Sequence, residues 1–203
     1  MIAIIDYNMG NLRSVENAFD KLGTKTQIIN DPDALKSFDK IILPGVGAYG
    51  DAMAHLKQSG MQEAITEFAK SGKPLLGVCL GMQLLFESSQ EFGTHAGLGL
   101  IEGEVKGFDT SKFHTPLKVP HMGWNDIRVK ASPLFRGLEK SFYLYFVHSF
   151  HVLCDAQYII GSTHYGYDFP AAVQKENIYG LQPHPEKSHE NGLKILQNFT
   201  ELS

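Results

Sequence analysis

Cys79 lies between two glycines in the stretch GVCLGMQ, residues 77–83, directly after the apolar pair Leu75-Leu76 and before a segment patterned as a helix. Two readings fit that placement. A cysteine packed into a tight turn is a small buried hydrophobe, because free cysteine is among the most buried residue types and glycine flanks many strand-to-helix turns. A cysteine projecting from such a turn, beside the first backbone amides of a helix, is favoured as thiolate and so as a nucleophile. In that case the flanking glycines let a strained turn pass close to its neighbours, as in the G-x-S-x-G elbow, and the Leu80 amide faces a developing oxyanion. The fragment alone leaves both open.

A cysteine nucleophile also needs a base and a group that orients it, near in space though distant in sequence. The segment LQPHPEKS, residues 181–188, supplies His184 and Glu186. Pro185 disfavours the helical region for His184, so the segment is expected to be extended, with His184 and Glu186 projecting on one face. The alternative is a solvated turn that happens to hold both. A third piece, PGVGAYG at residues 44–50, follows the apolar run KIIL. Its two glycines around Val46 permit an inverted peptide and hence a second oxyanion donor, although a plain strand-to-helix loop has the same look. The three pieces have complementary roles, and all are expected at one edge of one sheet.

The elements that must position them follow from periodicity. MIAII, TQII, KIILP and PLLGV read as strands. Helices are expected from about Leu12 to Leu22, from about Asp51 to Ala69 with a break near Gly60, and over LGMQLLFESS. Strands alternating with helices predict an α/β fold, a largely parallel open sheet with flanking helices. From about Gly97 the runs IEGEVKGF, WNDIRVK, SFYLYFVHSF, HVLCDA, YIIGSTHYG, AAVQKEN and NIYGLQ are short and β-rich. They predict mainly antiparallel strands added to that sheet, with FYLYF in its core and Cys154 as a packed strand residue. ENGLKILQNF, residues 190–199, closes the chain as a helix. No linker or repeat divides the 203 residues, so one domain over 1–203 is expected.

Composition excludes several classes. A formal charge of −4 gives no basic stripe for nucleic acid. No apolar run approaches the roughly 18 residues of a membrane-spanning helix, and MIAIID reads as a first strand rather than a signal or anchor. Two cysteines without a secretory pattern predict a cytoplasmic protein with free thiols. Nine histidines contain no H-E-x-x-H, and His148 and His151, three apart in an expected strand, should face opposite sides, so no metal is expected. There is also no G-x-x-x-x-G-K-[ST] phosphate loop.

Taken together, PGVG, GVCLGMQLLFE and HPEKS resemble the class I (triad) glutamine amidotransferases. DYNMGNLRSVENA, VPHMGWN and YFVHSF are similar, more narrowly, to the HisH-type glutaminase subunits of imidazole glycerol phosphate synthases. The resemblance covers essentially the whole chain and implies a flavodoxin-like fold without a cofactor. It makes Cys79 the nucleophile toward L-glutamine, His184 the acid and base, and Glu186 its orienting carboxylate. The Leu80 amide and the Val46–Gly47 peptide become the oxyanion donors, the latter by a flip that would keep activity low until a partner binds. Gly47, Gln83, Glu91 and the strand His148-Ser149-Phe150 would hold glutamine.

By the same resemblance, ammonia passes to a separate (βα)8-barrel cyclase subunit in a heterodimer. There it reacts with a phosphoribulosyl-formimino-aminoimidazole carboxamide ribotide to give imidazole glycerol phosphate and AICAR. Asn11, His121, Met122, Gly123, Trp124, Asn125 and Lys187 match segments that face the barrel in that family; for Trp124 the alternative is a partly buried core aromatic. Related subunits feed ammonia to amidine formation on bacterial cell-surface sugars, and this stays open as the second reading. One departure is Pro183, where many members carry an aromatic. Proline cannot donate to a ladder, so it is expected at a strand end or bulge.

Overall fold

In the computed structural model, which describes residues 1–203, the apolar runs of the first half form strands and the periodic segments between them form helices. In chain order these are β1 (Ile2–Ile5), α1 (Leu12–Lys21), β2 (Thr26–Ile29), β3 (Lys40–Leu43), α2 (Tyr49–Gln58), α3 (Met61–Lys70), β4 (Leu75–Val78) and α4 (Leu80–Leu84). The expected break at Gly60 separates α2 from α3. The second half contributes β5 (Phe86–Ser89), β6 (His95–Ala96), β7 (Ile101–Gly107), β8 (His121–Val129), β9 (Ser141–His148), β10 (Phe150–Leu153), β11 (Ile159–His164), β12 (Asp168–Lys175), β13 (Ile178–Leu181) and α5 (His189–Thr200).

The main sheet has nine strands in the order β2-β1-β3-β4-β13-β12-β11-β8-β9. Its first five are mutually parallel, and β12, β11, β8 and β9 continue it antiparallel. This is the α/β architecture that the alternating strand and helix patterns predict. Strand β13 is the pivot: it runs parallel to β4 on one side and antiparallel to β12 on the other, so the end of the chain returns beside Cys79.

Burial on both faces explains why the parallel strands are apolar throughout. In β1, Ile2 and Ile4 join Val15, Phe19, Leu196 and Phe199 in the core under α1 and α5. Ala3 and Ile5 join Leu56, Ile65 and Phe68 under α2 and α3. Each fully buried aliphatic side chain contributes about 1.5–3 kcal/mol, so these two cores hold the sheet edge rigid where the loops emerge. No helix is long and apolar enough to cross a membrane.

Several local expectations are corrected. The helix expected over LGMQLLFESS stops at Leu84, because the carbonyls of Leu84, Leu85, Phe86 and Glu87 accept from amides of residues 97–101 instead of continuing a helical ladder. The strands β7 and β10 do not join the main sheet but form a second one, ordered β10-β7-β5-β6. SFYLYFVHSF therefore breaks at Ser149, where the chain leaves one sheet for the other; the motif expected as one strand, His148-Ser149-Phe150, spans that junction. As a result His148 and His151 do not face opposite ways: both rings pack on Phe108, at 5.2 and 5.0 Å. Finally, β9 is an edge strand, so Phe142, Leu144 and Phe146 are core while Tyr143 is exposed, and Cys154 falls just beyond the end of β10.

Candidate active site

Cys79 occupies the single-residue corner between β4 and α4, with φ 55° and ψ −113°. A positive φ is strained for a side chain with a Cβ and persists only where the surroundings enforce it. Here the Cys79 amide donates to the Leu181 carbonyl at 2.7 Å, and α4 is pressed onto the end of β3. A Cβ at Gly81 would stand 1.8 Å from the Leu43 carbonyl oxygen, so no other residue lets the helix come this close. The thiol is 7% exposed, with the Val147 carbonyl 3.9 Å and the Gln182 amide nitrogen 3.8 Å from Sγ.

His184 follows β13 by three residues, and its amide donates to the Tyr145 carbonyl at 2.9 Å. Its Nδ1 lies 2.7 Å from Glu186 Oε1, with both side chains 2% exposed. The local route to this pair differs from the expected extended segment. His184 itself is extended, but Pro185–Lys187 is a 3₁₀ turn closed by the Lys187 and Ser188 amides and by the Ser188 hydroxyl on the His184 carbonyl. Pro183 lies beyond the ladder, whose last bond is the Gln182 amide to Ala171, so the proline interrupts no pairing.

With Nδ1 taken by Glu186, Nε2 is the ring nitrogen that faces the thiol, which lies outside ideal hydrogen-bond geometry but near enough to act on the ring. Burial pushes the imidazole's pKa down, but hydrogen bonding and charge from Cys79 and Glu186 outweigh it and lift the value to about 10. Negative charge on Glu186 and on the sulfur thus favours the imidazolium form of the ring.

The loop after β3 completes the corner. Gly47 has φ 102°, a conformation that glycine adopts readily and other residues rarely. The Tyr7 hydroxyl donates to the Pro44 carbonyl at 2.8 Å and pins the loop's start, and the Glu91 carboxylate accepts from the Tyr49 amide at 2.5 Å where α2 begins. Leu80 is the first residue of α4, so its amide has no acceptor within the helix.

A cavity of about 330 Å³ is lined by Val46, Gly47, Cys79, Leu80, Gln83, Glu91, Val147, His148, Ser149, Phe150 and His184. It gathers every sequence-derived catalytic, oxyanion and glutamine-binding residue except Glu186, which stands behind the imidazole.

The residues expected at a partner face divide. Met122 and Trp124 are 62% and 46% exposed on β8. Trp124 stacks on His189 at 5.0 Å, and Lys187 reaches over Tyr145, so Trp124 and Lys187 share one patch beside the catalytic turn. Asn11 precedes α1, which packs against the Pro185–Lys187 turn, and Gly123 lies between the two exposed residues. His121 is different: it is 3% exposed and points inward, as β-alternation with Met122 requires, and the partly buried Asn125 bonds to it.

Two site residues escaped the sequence reading. Tyr7 is buried against the loop, and Gln182 touches the nucleophile. For Gln182 a signal was present: it is an amide at the end of the apolar run IYGL, directly before Pro183 and the HPE triplet.

A cysteine at a strained elbow, at the first turn of a helix and beside a buried His–Glu pair, is the arrangement that a triad amidohydrolase requires. The family model described as "Glutamine amidotransferase class-I" matches residues 3–202, and the chain belongs to that family. It is 67% identical over 201 residues to the protein of Sulfurimonas denitrificans named "Imidazole glycerol phosphate synthase subunit HisH", covering 98% of this chain and 97% of that one. The protein of the same name from Wolinella succinogenes is 58% identical, with 100% of each chain covered. Among solved structures, "Structure of PurLQS from Thermotoga maritima" superposes with a TM-score of 0.79 at 23% identity, over 98% of this chain and 97% of that one, which speaks to the fold alone.

Proposed function

We propose that this chain, as one glutamine amidotransferase domain over residues 1–203, is the glutaminase subunit of an imidazole glycerol phosphate synthase. It hydrolyses glutamine to glutamate and ammonia and delivers the ammonia to a cyclase subunit, a (βα)8 barrel, in histidine biosynthesis. The full-length identity to subunits of that name supports this reading over the surface-sugar one.

The chemistry runs through the corner at Cys79. The thiolate, paired with the His184 imidazolium, attacks the side-chain carboxamide carbon of glutamine. The oxyanion that forms is met by the Leu80 amide and by an amide from the Val46–Gly47 peptide once that peptide inverts. The proton on His184 Nε2 goes to the departing nitrogen, which leaves as ammonia, and a glutamyl thioester remains on Cys79. Neutral His184 then takes a proton from water, the hydroxide adds to the thioester carbon, and the C–S bond breaks to release glutamate. Glu186 keeps Nδ1–H pointed away from the thiol and stabilises each imidazolium. Gln83, Glu91 and the His148–Phe150 junction hold the amino-acid end of glutamine.

The observation that carries this reading is the convergence of Cys79 with the buried His184–Glu186 pair on a cavity of about 330 Å³, within the range of a small-molecule site. In this reading the exposed Met122 and Trp124, together with Lys187, are the patch offered to the barrel, and the two subunits work together in the cytoplasm. Cys79→Ala should abolish glutamate release while leaving the far-ultraviolet spectrum unchanged. Full turnover in that variant would overturn the assignment.

A further inference from the structure

A continuous hydrogen-bonded chain runs from the nucleophile to the outer part of β8, and the Phe150 carbonyl in its middle fixes the direction of every link. A carbonyl oxygen only accepts. Gln83 Nε2, 3.0 Å from it, and His148 Nδ1, 2.8 Å from it, must therefore both be donors. On one side, the same Gln83 Nε2 donates to Gln182 Oε1 at 3.0 Å, which leaves Gln182 Nε2 to donate to Cys79 Sγ at 3.8 Å. On the other side, a neutral His148 with its proton on Nδ1 accepts at Nε2. His121 Nδ1, 3.0 Å away, must then donate to it, and His121 Nε2 accepts from Asn125 Nδ2 at 3.2 Å. Asn125 is anchored in turn by donating to the His164 carbonyl at 2.9 Å.

Each ring in this chain carries one proton, and burial keeps both neutral. His148 is pushed down to about 3, with its Phe150 bond opposing and the neighbouring histidines reinforcing the shift, and His121 is pushed down to about 4. A second proton on either ring would set N–H against N–H. The two arms converge on the Phe150 carbonyl, and the arm through Gln83 and Gln182 ends by offering an N–H to the sulfur, an interaction stronger for thiolate than for thiol. It begins on β8 at Asn125, next to the exposed Trp124.

We propose that Gln182, His148 and His121 are positioning residues that hold the Cys79 sulfur and the Phe150 carbonyl in register with the β8 surface. This rests on Cys79 being the nucleophile.

The test is the rate of Cys79 alkylation by iodoacetamide at pH 7 in the full chain, read by peptide mass spectrometry with Cys154 as internal reference. Gln182→Leu removes the donor to sulfur and should slow Cys79 about tenfold, the loss of one hydrogen bond to a charged acceptor. His121→Leu, five hydrogen bonds away, loosens the His148–Phe150 arm and should slow it by about threefold. His121→Asn, whose amide can supply the Nδ1 donor, should restore the rate to within about twofold, and in a Gln182→Leu background His121→Leu should add nothing.

Unchanged alkylation in both leucine variants, equal loss in His121→Asn and His121→Leu, or multiplying losses in the double variant would each overturn the relay. If His121→Leu does not fold, His148→Asn against His148→Leu decides by the same criterion. Should Cys79 of the unaltered chain react no faster than Cys154, the nucleophile reading falls and the relay with it.

Discussion

His184 Nδ1 and Glu186 Oε1 stand 2.7 Å apart with both side chains almost wholly out of solvent, while His184 Nε2 and Glu186 Oε2 have no partner. A buried carboxylate facing one ring nitrogen fixes the tautomer and leaves the other nitrogen for the thiol. Glu186→Gln keeps the shape but removes the charge that helps to hold His184 protonated. Glutamine turnover at saturating substrate should fall by about 10²-fold or more, with the glutamine KM changed much less. A loss expressed mainly in KM would place Glu186 in binding instead.

The same pair sets a stability signature on the alkaline side. The folded pKa of His184 is raised to about 10, above the ordinary value of about 6.5 for the unfolded chain. Its contribution is therefore fully present below about pH 6.5 and is lost as pH rises toward 10, because the folded state alone keeps the proton. Urea unfolding of His184→Gln at pH 6.5 and pH 9 should show a smaller drop between the two than the unaltered chain does.

His148 and His121 act with the opposite sign. Their folded values, about 3 and about 4, lie below the unfolded value, so the unfolded chain binds more protons between about pH 6.5 and pH 4. Stability from keeping them neutral is present above about 6.5 and lost as pH falls. His121→Asn should flatten the decline between pH 6.5 and 4.5; an unaltered slope would show that His121 titrates normally.

Gly81→Ala drives a methyl group into the Leu43 carbonyl at the junction of β3 and α4. Overpacking against backbone should lower stability by about 3 kcal/mol and displace Cys79, so that both the urea midpoint and Cys79 alkylation fall together.

Much of this was legible in the sequence because the relevant signals are local. The apolar runs of β1, β3 and β4 declare strands within a few residues, whereas the glycines around Cys79 and Val46 and the HPE triplet acquire candidate roles only when taken together. What was not legible depends on long-range pairing. Phe86–Ser89 looks helical by its neighbours, yet residues 97–101 take its carbonyls. Ser149 gives no sign that the chain changes sheets there, so the placement of His148 and His151 around Phe108 could not be foreseen. His184 and Glu186 do meet, through a 3₁₀ turn and not through the extended segment that proline suggests.

Trp124 is half-exposed, stacked face to face on His189, and adjacent to the catalytic turn that carries Lys187. As an aromatic anchor at a partner face, its replacement by alanine should weaken binding of the barrel subunit by about 30-fold while leaving the thermal midpoint of the isolated chain nearly unchanged. An equal affinity in calorimetric titration would move the interface elsewhere.

The central claim is best tested by glutamate release from glutamine, measured with the purified chain alone and then with the histidine-pathway barrel subunit of the same organism carrying its ribotide ligand. Low release alone and strong stimulation by the liganded barrel are the expected result if, as proposed, the Val46–Gly47 peptide turns inward only when the partner is engaged. Full activity without the barrel, or none in its presence while Cys79 still reacts with a glutamine analogue, would contradict the assignment.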